Sequence, residues 1–245
     1  VIAAITAGGR VTGELATAIG TDVKALARVG KTSLLETAIE AARGAGASTI
    51  AVIGGQAVRE QFAARVDRVI DESPDGGENV RRAIEAATDE PLLLLTSDMP
   101  FVEASDVAAF LAAARAMRAD AALPLAEADA YLRAYPGAPP HLTRLGNVRV
   151  ANGSVVYFGP GVAPRILDTA QRLFAARKSL VRMAALLGPP LLARFAIGRL
   201  RIEHVEARAQ TLLGIRARAI RDASPGLCFD VDTIDDYRYA VAFRH

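Results

Sequence analysis

The chain has 245 residues, 51% of them apolar and 23% charged, with a formal net charge of +2; that length buries a full core in one α/β domain, and no apolar run reaches the roughly 18 residues that cross a bilayer. The basic residues are spread thinly, so the calculated pI of 8.9 does not point to nucleic acid as a partner. One cysteine, Cys228, excludes an internal disulfide and a thiolate zinc site, and His141, His204 and His245 stand too far apart in the chain for a histidine-rich metal site.

The opening residues, VIAAITAGG, have no basic segment before them and run into a glycine turn, so they read as a buried strand and not as a signal peptide; the expected location is the cytoplasm. Strands are predicted at 1–6, 49–53, 68–70, 92–96, 121–124, 155–158 and 216–220, and helices at 34–45, 79–87 and 105–118, the last capped by Ser105 or Asp106. This alternation predicts an α/β fold of three layers, a Rossmann-like, doubly wound and mostly parallel sheet with helices on both faces. Between residues 125 and 152 the periodicity is lost, around YPGAPP and several isolated arginines, and the segment reads as a long excursion over the active-site side. Residues 163–213 turn helical, broken by GPP at 188–190, and read as a small helical insertion at about 160–215 within a single domain of 1–245. Ligands of such sheets sit beyond the carboxyl ends of the strands, which directs attention to the residues after the first and fourth.

The first strand ends in TAGGR, where Gly8 and Gly9 allow a tight turn with backbone N–H groups close to a phosphate and Arg10 can add a charge-assisted contact. The segment ALARVGKT, residues 25–32, fits a relaxed P-loop, with LLLLTSD as its acidic strand. No apolar strand precedes it, however, and alanine replaces the first glycine. Only Lys24, Lys31 and Lys178 are lysines in a chain that otherwise uses arginine. Asp98 closes a run of four leucines, where a carboxylate can hold a metal beside a phosphate.

Taken in order, AGGR, VKAL followed by VGKTSLLETAIEAA, GGENVRRAI, LLLLTSDMPFV and FDVDTIDDY span nearly the whole chain and resemble the MobA-like nucleotidyltransferases. The resemblance implies transfer of a nucleoside monophosphate from a nucleoside triphosphate to a small phosphorylated acceptor, with Mg²⁺ as cofactor and pyrophosphate as leaving group. It also implies that Ala7, Gly8, Gly9 and Arg10 cradle the triphosphate, that Lys24 neutralises the phosphates, that Gly77 and Asn79 meet the base or ribose, and that Asp98 and Asp232 bind the metal. Asp230, Asp235 and Asp236 crowd Asp232, and the common proline and glutamate of this last motif are replaced by Ile234 and Asp235. The long RVTGELATAIGTD segment between Gly9 and Lys24 departs from the compact loop of many members and resembles a bacterial branch with an RK pair, here Arg177 and Lys178. Arg133, Arg144, Arg149 and Lys178 are the cations expected on the acceptor side. Three other readings stand beside this one: a P-loop NTPase, a nucleotide-sugar glycosyltransferase, and a nucleotide-binding module without catalysis.

Overall fold

The computed structural model describes residues 1–87, 89–139, 141–169 and 188–244. From β1 (Ile2–Thr6) the chain runs through α1 (Gly13–Ile19), a short hairpin of β2 (Arg28–Val29) and β3 (Thr32–Ser33), and α2 (Leu34–Gly44) to β4 (Thr49–Gly54). Then follow α3 (Gln56–Phe62), β5 (Arg68–Asp71), α4 (Gly76–Glu85), β6 (Leu92–Thr96) and α5 (Ala104–Ala116). Helical crossovers return the chain to the same end of the sheet, so β1 pairs parallel with β4 and β6, and β5 pairs parallel with β4.

Alternation within β1 divides the core between the two faces. Ala3 and Ile5 pack with Leu35 and Ile39 of α2 and Phe110 of α5, whereas Ile2 and Ala4 pack with Val80 and Ile84 of α4. A strand covered on both sides carries apolar residues throughout, which is why IAAIT is uninterrupted. At the start of α2, Ser33 Oγ accepts from the Glu36 N–H at 3.2 Å while Glu36 accepts from the Ser33 N–H at 3.3 Å. The start of α5 differs from expectation. Glu103 is its capping residue, and Asp106 acts from inside the first turn, accepting the Glu103 N–H at 3.0 Å.

The rest of the sheet is mixed. Its elements are β7 (Ala121–Glu127), α6 (Ala128–Ala134), β8 (Leu142–Leu145), β9 (Val148–Asn152), β10 (Val155–Phe158), α7 (Val162–Arg165), α8 (Pro189–Ala196), α9 (Ile202–Leu213), β11 (Ala217–Ile220) and α10 (Ile234–Phe243). β10 lies between β6 and β7 and is antiparallel to both, while β11 pairs parallel with β7. The expected excursion at 125–152 is therefore structured: β7 extends to Glu127, α6 follows, and a β8–β9 hairpin pairs antiparallel with the far end of β7. Helices α8 and α9 fall within the expected insertion, and the break at GPP becomes Pro189 in the first turn of α8. Arg177 and Lys178 lie outside the described residues, among which no helix is long and apolar enough to cross a membrane.

One irregularity of this half bears on the site. β9 and β10 run along the same strand, yet Asn152 faces Leu125 and Tyr157 faces Ala122, so Gly153 and Ser154 form a two-residue bulge. The Gly153 N–H donates to Pro124 O at 2.9 Å and the Ser154 N–H to Leu227 O at 3.0 Å. A Cβ at Gly153 would lie 2.3 Å from Pro124 Cγ and 2.8 Å from Leu227 O, so the close approach of these backbones requires glycine.

Candidate active site

β1 and β6 end in register, Thr6 opposite Thr96, so Ala7–Gly9 and Ser97–Asp98 leave the sheet side by side. The Ser97 N–H donates to Thr6 O at 3.2 Å and the Ala7 N–H to Ile53 O at 2.8 Å, which holds both loops at the carboxyl edge. A Cβ on Gly8 would fall 2.7 Å from Glu72 Oε2 and 3.1 Å from Asn79 Nδ2, so a side chain here would have to displace the Glu72 carboxylate from its place beside the turn. Asn79 is buried, and its amide holds that loop: Oδ1 accepts the Ser73 N–H at 2.6 Å and Nδ2 donates to Ser73 O at 2.8 Å. Gly77 stands in the first turn of α4, capped by Asp75 Oδ1, which accepts the Glu78 N–H at 2.9 Å. The Arg10 guanidinium is engaged by both Glu72 oxygens and lies 3.4 Å from Asp22.

The long segment after Gly9 closes on itself. It contains α1, and its two ends pair: Arg10 bridges Val23, the Val11 N–H donates to Asp22 O at 2.9 Å and the Lys24 N–H donates to Gly9 O at 3.0 Å. The additional length therefore leaves Lys24 beside the glycine turn. From there its Nζ reaches Asp98 Oδ2 at 2.5 Å and Asp232 Oδ1 at 2.9 Å. Burial alone would lower the Lys24 pKa, but Asp98 and then Asp232 outweigh it and hold the ammonium above its ordinary value.

Residues 25–32 do not form a P-loop. They make a 3-10 turn (Lys24–Leu26) and the β2–β3 hairpin, with Gly30 and the exposed Lys31 at its tip and the Lys31 carbonyl accepting from the Arg28 guanidinium. The strand, loop and helix that a phosphate cradle needs are not arranged in that order here.

The chain returns to β6 through FDVDT. The Val231 N–H donates to Asp98 O at 3.0 Å, and Phe229 packs edge-on to Phe101 at 4.8 Å, so the two aspartate loops are joined through backbone and aromatic contacts. The crowding carboxylates have distinct tasks. Asp236, fully buried, accepts from the Thr233 N–H at 2.7 Å, Thr233 Oγ1 at 2.8 Å and the Asp232 N–H at 3.1 Å, and its other oxygen meets His141 Nε2 at 2.8 Å. It shapes the turn that carries Asp232 and starts α10. Asp235 is exposed and lies 3.7 Å from Arg238.

Asp230 accepts from Ser154 Oγ at 2.6 Å, which gives the bulge a function, while its Oδ1 and that of Asp98 are buried without a hydrogen-bond partner. Burial first, and then the Asp98 charge, push the Asp230 carboxyl up to about 8, against the opposing Ser154 hydrogen bond. Asp230 and Asp232 project from one extended turn, two residues apart, a spacing visible in the sequence. Ser154 has no comparable sequence signal because its position depends on the bulge.

Asp98 and Asp232 fit a hard divalent cation: both converge on one cationic group, and Asp98 retains an unpartnered oxygen. Among the described residues no cluster of three or more His, Cys, Asp or Glu side chains could hold a metal by itself. A cleft of about 350 Å³ opens on the hairpin side, lined by His141, Thr143, Asn152, Asp230 and Asp232 among others. Arg144 is not part of that lining. It sits on β8 opposite Arg149, and its Nε donates to Gly146 O at 3.0 Å.

Residues 3–214 match the model of the MobA-like NTP transferase domain. A hypothetical transferase from Thermus thermophilus superposes with a TM-score of 0.84 at 26% identity, covering 96% of this chain and 98% of that one. Two more distant structures share the fold. The 2-C-methyl-D-erythritol 4-phosphate cytidylyltransferase of Thermus thermophilus gives a TM-score of 0.55 at 20% identity over 100% of this chain and 98% of that one. Rv0371c of Mycobacterium tuberculosis H37Rv, solved in complex with manganese, gives 0.52 at 18% over 98% and 97%. No protein of curated function matches the sequence. The family match extends over most of the chain, from β1 to the end of α9, and the chain therefore belongs to the MobA-like NTP transferase family and is a nucleotidyltransferase.

Proposed function

We propose that this enzyme transfers the monophosphate portion of a nucleoside triphosphate to a small phosphorylated acceptor, with Mg²⁺ as cofactor and release of pyrophosphate. The carrying observation is Lys24, tied by its backbone to Gly9 and by its ammonium to Asp98 and Asp232. One side chain thus links the glycine turn to a carboxylate pair. On this reading the N–H groups of Gly8 and Gly9 bind the triphosphate, while Ala7, whose N–H is committed to Ile53 O, anchors the turn to the sheet instead of meeting the phosphates; Arg10 joins the two glycines when released from Glu72, and the first turn of α4 with Gly77 and Asn79 borders the nucleoside. An acceptor phosphate oxygen attacks the α-phosphorus in line, the bond to the bridging oxygen breaks, and pyrophosphate leaves without a covalent enzyme intermediate. Asp98 and Asp232 would hold Mg²⁺, which when bound neutralises charge on the phosphates; the manganese complex of Rv0371c supports a divalent ion.

The acceptor reading draws on the hairpin and on one relative. Arg144 and Arg149 are exposed and lie directly opposite each other, an arrangement of like charges that an anion would relieve. The cytidylyltransferase named above takes its name from a phosphate-bearing substrate. Of the other two cations proposed for this side, Arg133 is exposed in the last turn of α6 and Lys178 lies outside the described residues.

The test is a thermal-shift screen of the four ribonucleoside triphosphates with Mg²⁺, followed by pyrophosphate release in the presence of phosphorylated acceptors. A triphosphate at a hundred times its Kd stabilises by about 2.7 kcal/mol. The proposal fails if none of the four raises the melting temperature. Stabilisation by nucleotide sugars alone would support a glycosyltransferase, and triphosphate binding without pyrophosphate release a binding module.

A further inference from the structure

The Lys24 ammonium occupies the space in which the proposed site needs a divalent cation. Its Nζ contacts one oxygen of Asp98 at 2.5 Å and one of Asp232 at 2.9 Å. The Lys24 and Asp98 side chains are only 15% and 14% exposed, so water does little to screen their contact, whereas the Asp232 side chain is 63% exposed and its contact is the weaker one. A further acidic side chain, Asp230, two residues before Asp232, accepts from Ser154 Oγ at 2.6 Å. Two carboxylates on a single ammonium still leave an excess of negative charge that favours a second cation, yet the contact position between Asp98 and Asp232 is filled by Lys24. The lysine stem runs over the glycine turn, since a Cβ on Gly9 would lie 3.6 Å from Lys24 Cε. A triphosphate seated on that turn would lie alongside the stem and offer the ammonium a new anionic partner.

Building on the nucleotidyltransferase reading, we propose that Lys24 is the resident counter-cation of the metal carboxylates. Its ammonium holds Asp98 and Asp232 together until a triphosphate draws it away, so this chain takes up a divalent cation with the nucleotide and not before it. Lys24 then does two successive things: it keeps the carboxylates converged in the empty enzyme and it neutralises phosphate in the loaded one.

Mn²⁺ alone is the probe, titrated against the full chain without nucleotide and followed by the electron paramagnetic resonance of the free ion. Wild type should bind weakly. Lys24→Met should bind about tenfold more tightly or better, because a positive charge in contact with both carboxylates has been removed; Asp98→Asn should abolish the gain when combined with it. Lys24→Gln, which keeps a hydrogen-bond donor for one carboxylate, serves as the second variant if Lys24→Met does not fold, and it should also bind more tightly than wild type. Equal or weaker Mn²⁺ binding by the folded variant overturns the inference. The same titration with each of the four triphosphates, read against the nucleotide and Mn²⁺ without protein to subtract the ion chelated in solution, separates this from the broader reading. If no triphosphate promotes Mn²⁺ binding to wild type, the nucleotidyltransferase site itself is misplaced, whereas promotion without a gain in the Lys24 variants removes only the counter-cation role.

Discussion

On one side of β6 the sheet is parallel and its contribution to the site is mostly backbone; on the other it is mixed and contributes mostly side chains. The parallel side has β1, β4 and β5 in sequence-adjacent βα units, and what it offers at the carboxyl edge is the Gly8–Gly9 turn and the first turn of α4. The mixed side reverses direction at β10, carries a bulge, and offers Ser154 against Asp230 and His141 against Asp236. On the proposed function the backbone turn would bind what all triphosphates share. A cleft built from side chains can differ between members of one fold without disturbing that turn. The two sides meet where Lys24 of the first spans Asp98 at the boundary and Asp232 of the second.

The largest effect should come from breaking that meeting point. Asp98→Asn and Asp232→Asn each keep the side-chain shape but remove the charge, and each should lower Mg²⁺-dependent pyrophosphate release roughly 100-fold, about 2.7 kcal/mol in activation free energy. The double variant should be little worse than the poorer single one if both act on the same ion. Fully multiplicative losses across a Mg²⁺ titration would instead show that the two sides act separately.

Gly153→Ala tests the mixed side alone. Its Cβ would meet Pro124 and the Leu227 carbonyl at 2.3 and 2.8 Å, and overpacking of this kind costs about 1–3 kcal/mol. Denaturant unfolding should show that loss, while triphosphate affinity in the folded protein stays as in wild type. Weakened triphosphate binding would mean that the bulge is coupled to the glycine turn. Asn79→Ala is the counterpart on the parallel side. It removes both bonds to Ser73, so it should cost about 1–2 kcal/mol and, by loosening the loop that carries Glu72, weaken triphosphate binding in a thermal-shift titration.

The parallel side was also the more legible of the two in the sequence. Uninterrupted apolar runs at β1 and β6 separate cleanly from the helical pattern of α2, and the Ser33–Glu36 spacing marks a capping box. Asp98 is conspicuous because four leucines precede it. The β8–β9 hairpin is not conspicuous: LTRL and VRVAN are short and half exposed, and their arginines make them read as loop. The bulge depends on Pro124 and Leu227, distant in the chain, so no local pattern announces Ser154 as the partner of Asp230. The contact of Lys24 with two carboxylates depends likewise on the closure of the α1 segment onto Gly9, which spacing alone does not reveal. Asp236 could have been separated from its neighbours, since Thr233 and Asp236 have capping-box spacing.

The smallest expected effect distinguishes two lysines seven positions apart. Lys31 lies exposed at the tip of the β2–β3 hairpin, where only its carbonyl takes part in a described hydrogen bond, from Arg28. Truncating the side chain leaves that carbonyl in place and removes no core area, so Lys31→Ala should change unfolding free energy by no more than about 0.5 kcal/mol. Triphosphate affinity should likewise be unchanged, because this exposed lysine takes no part in the Asp98–Lys24–Asp232 contact, whereas Lys24→Ala should weaken it. Parallel isothermal titrations of the two variants with the best triphosphate and Mg²⁺ make the comparison. If Lys31→Ala loses nucleotide binding and Lys24→Ala retains it, phosphate recognition belongs to the hairpin, and the division of labour between the two sides of β6 has to be redrawn.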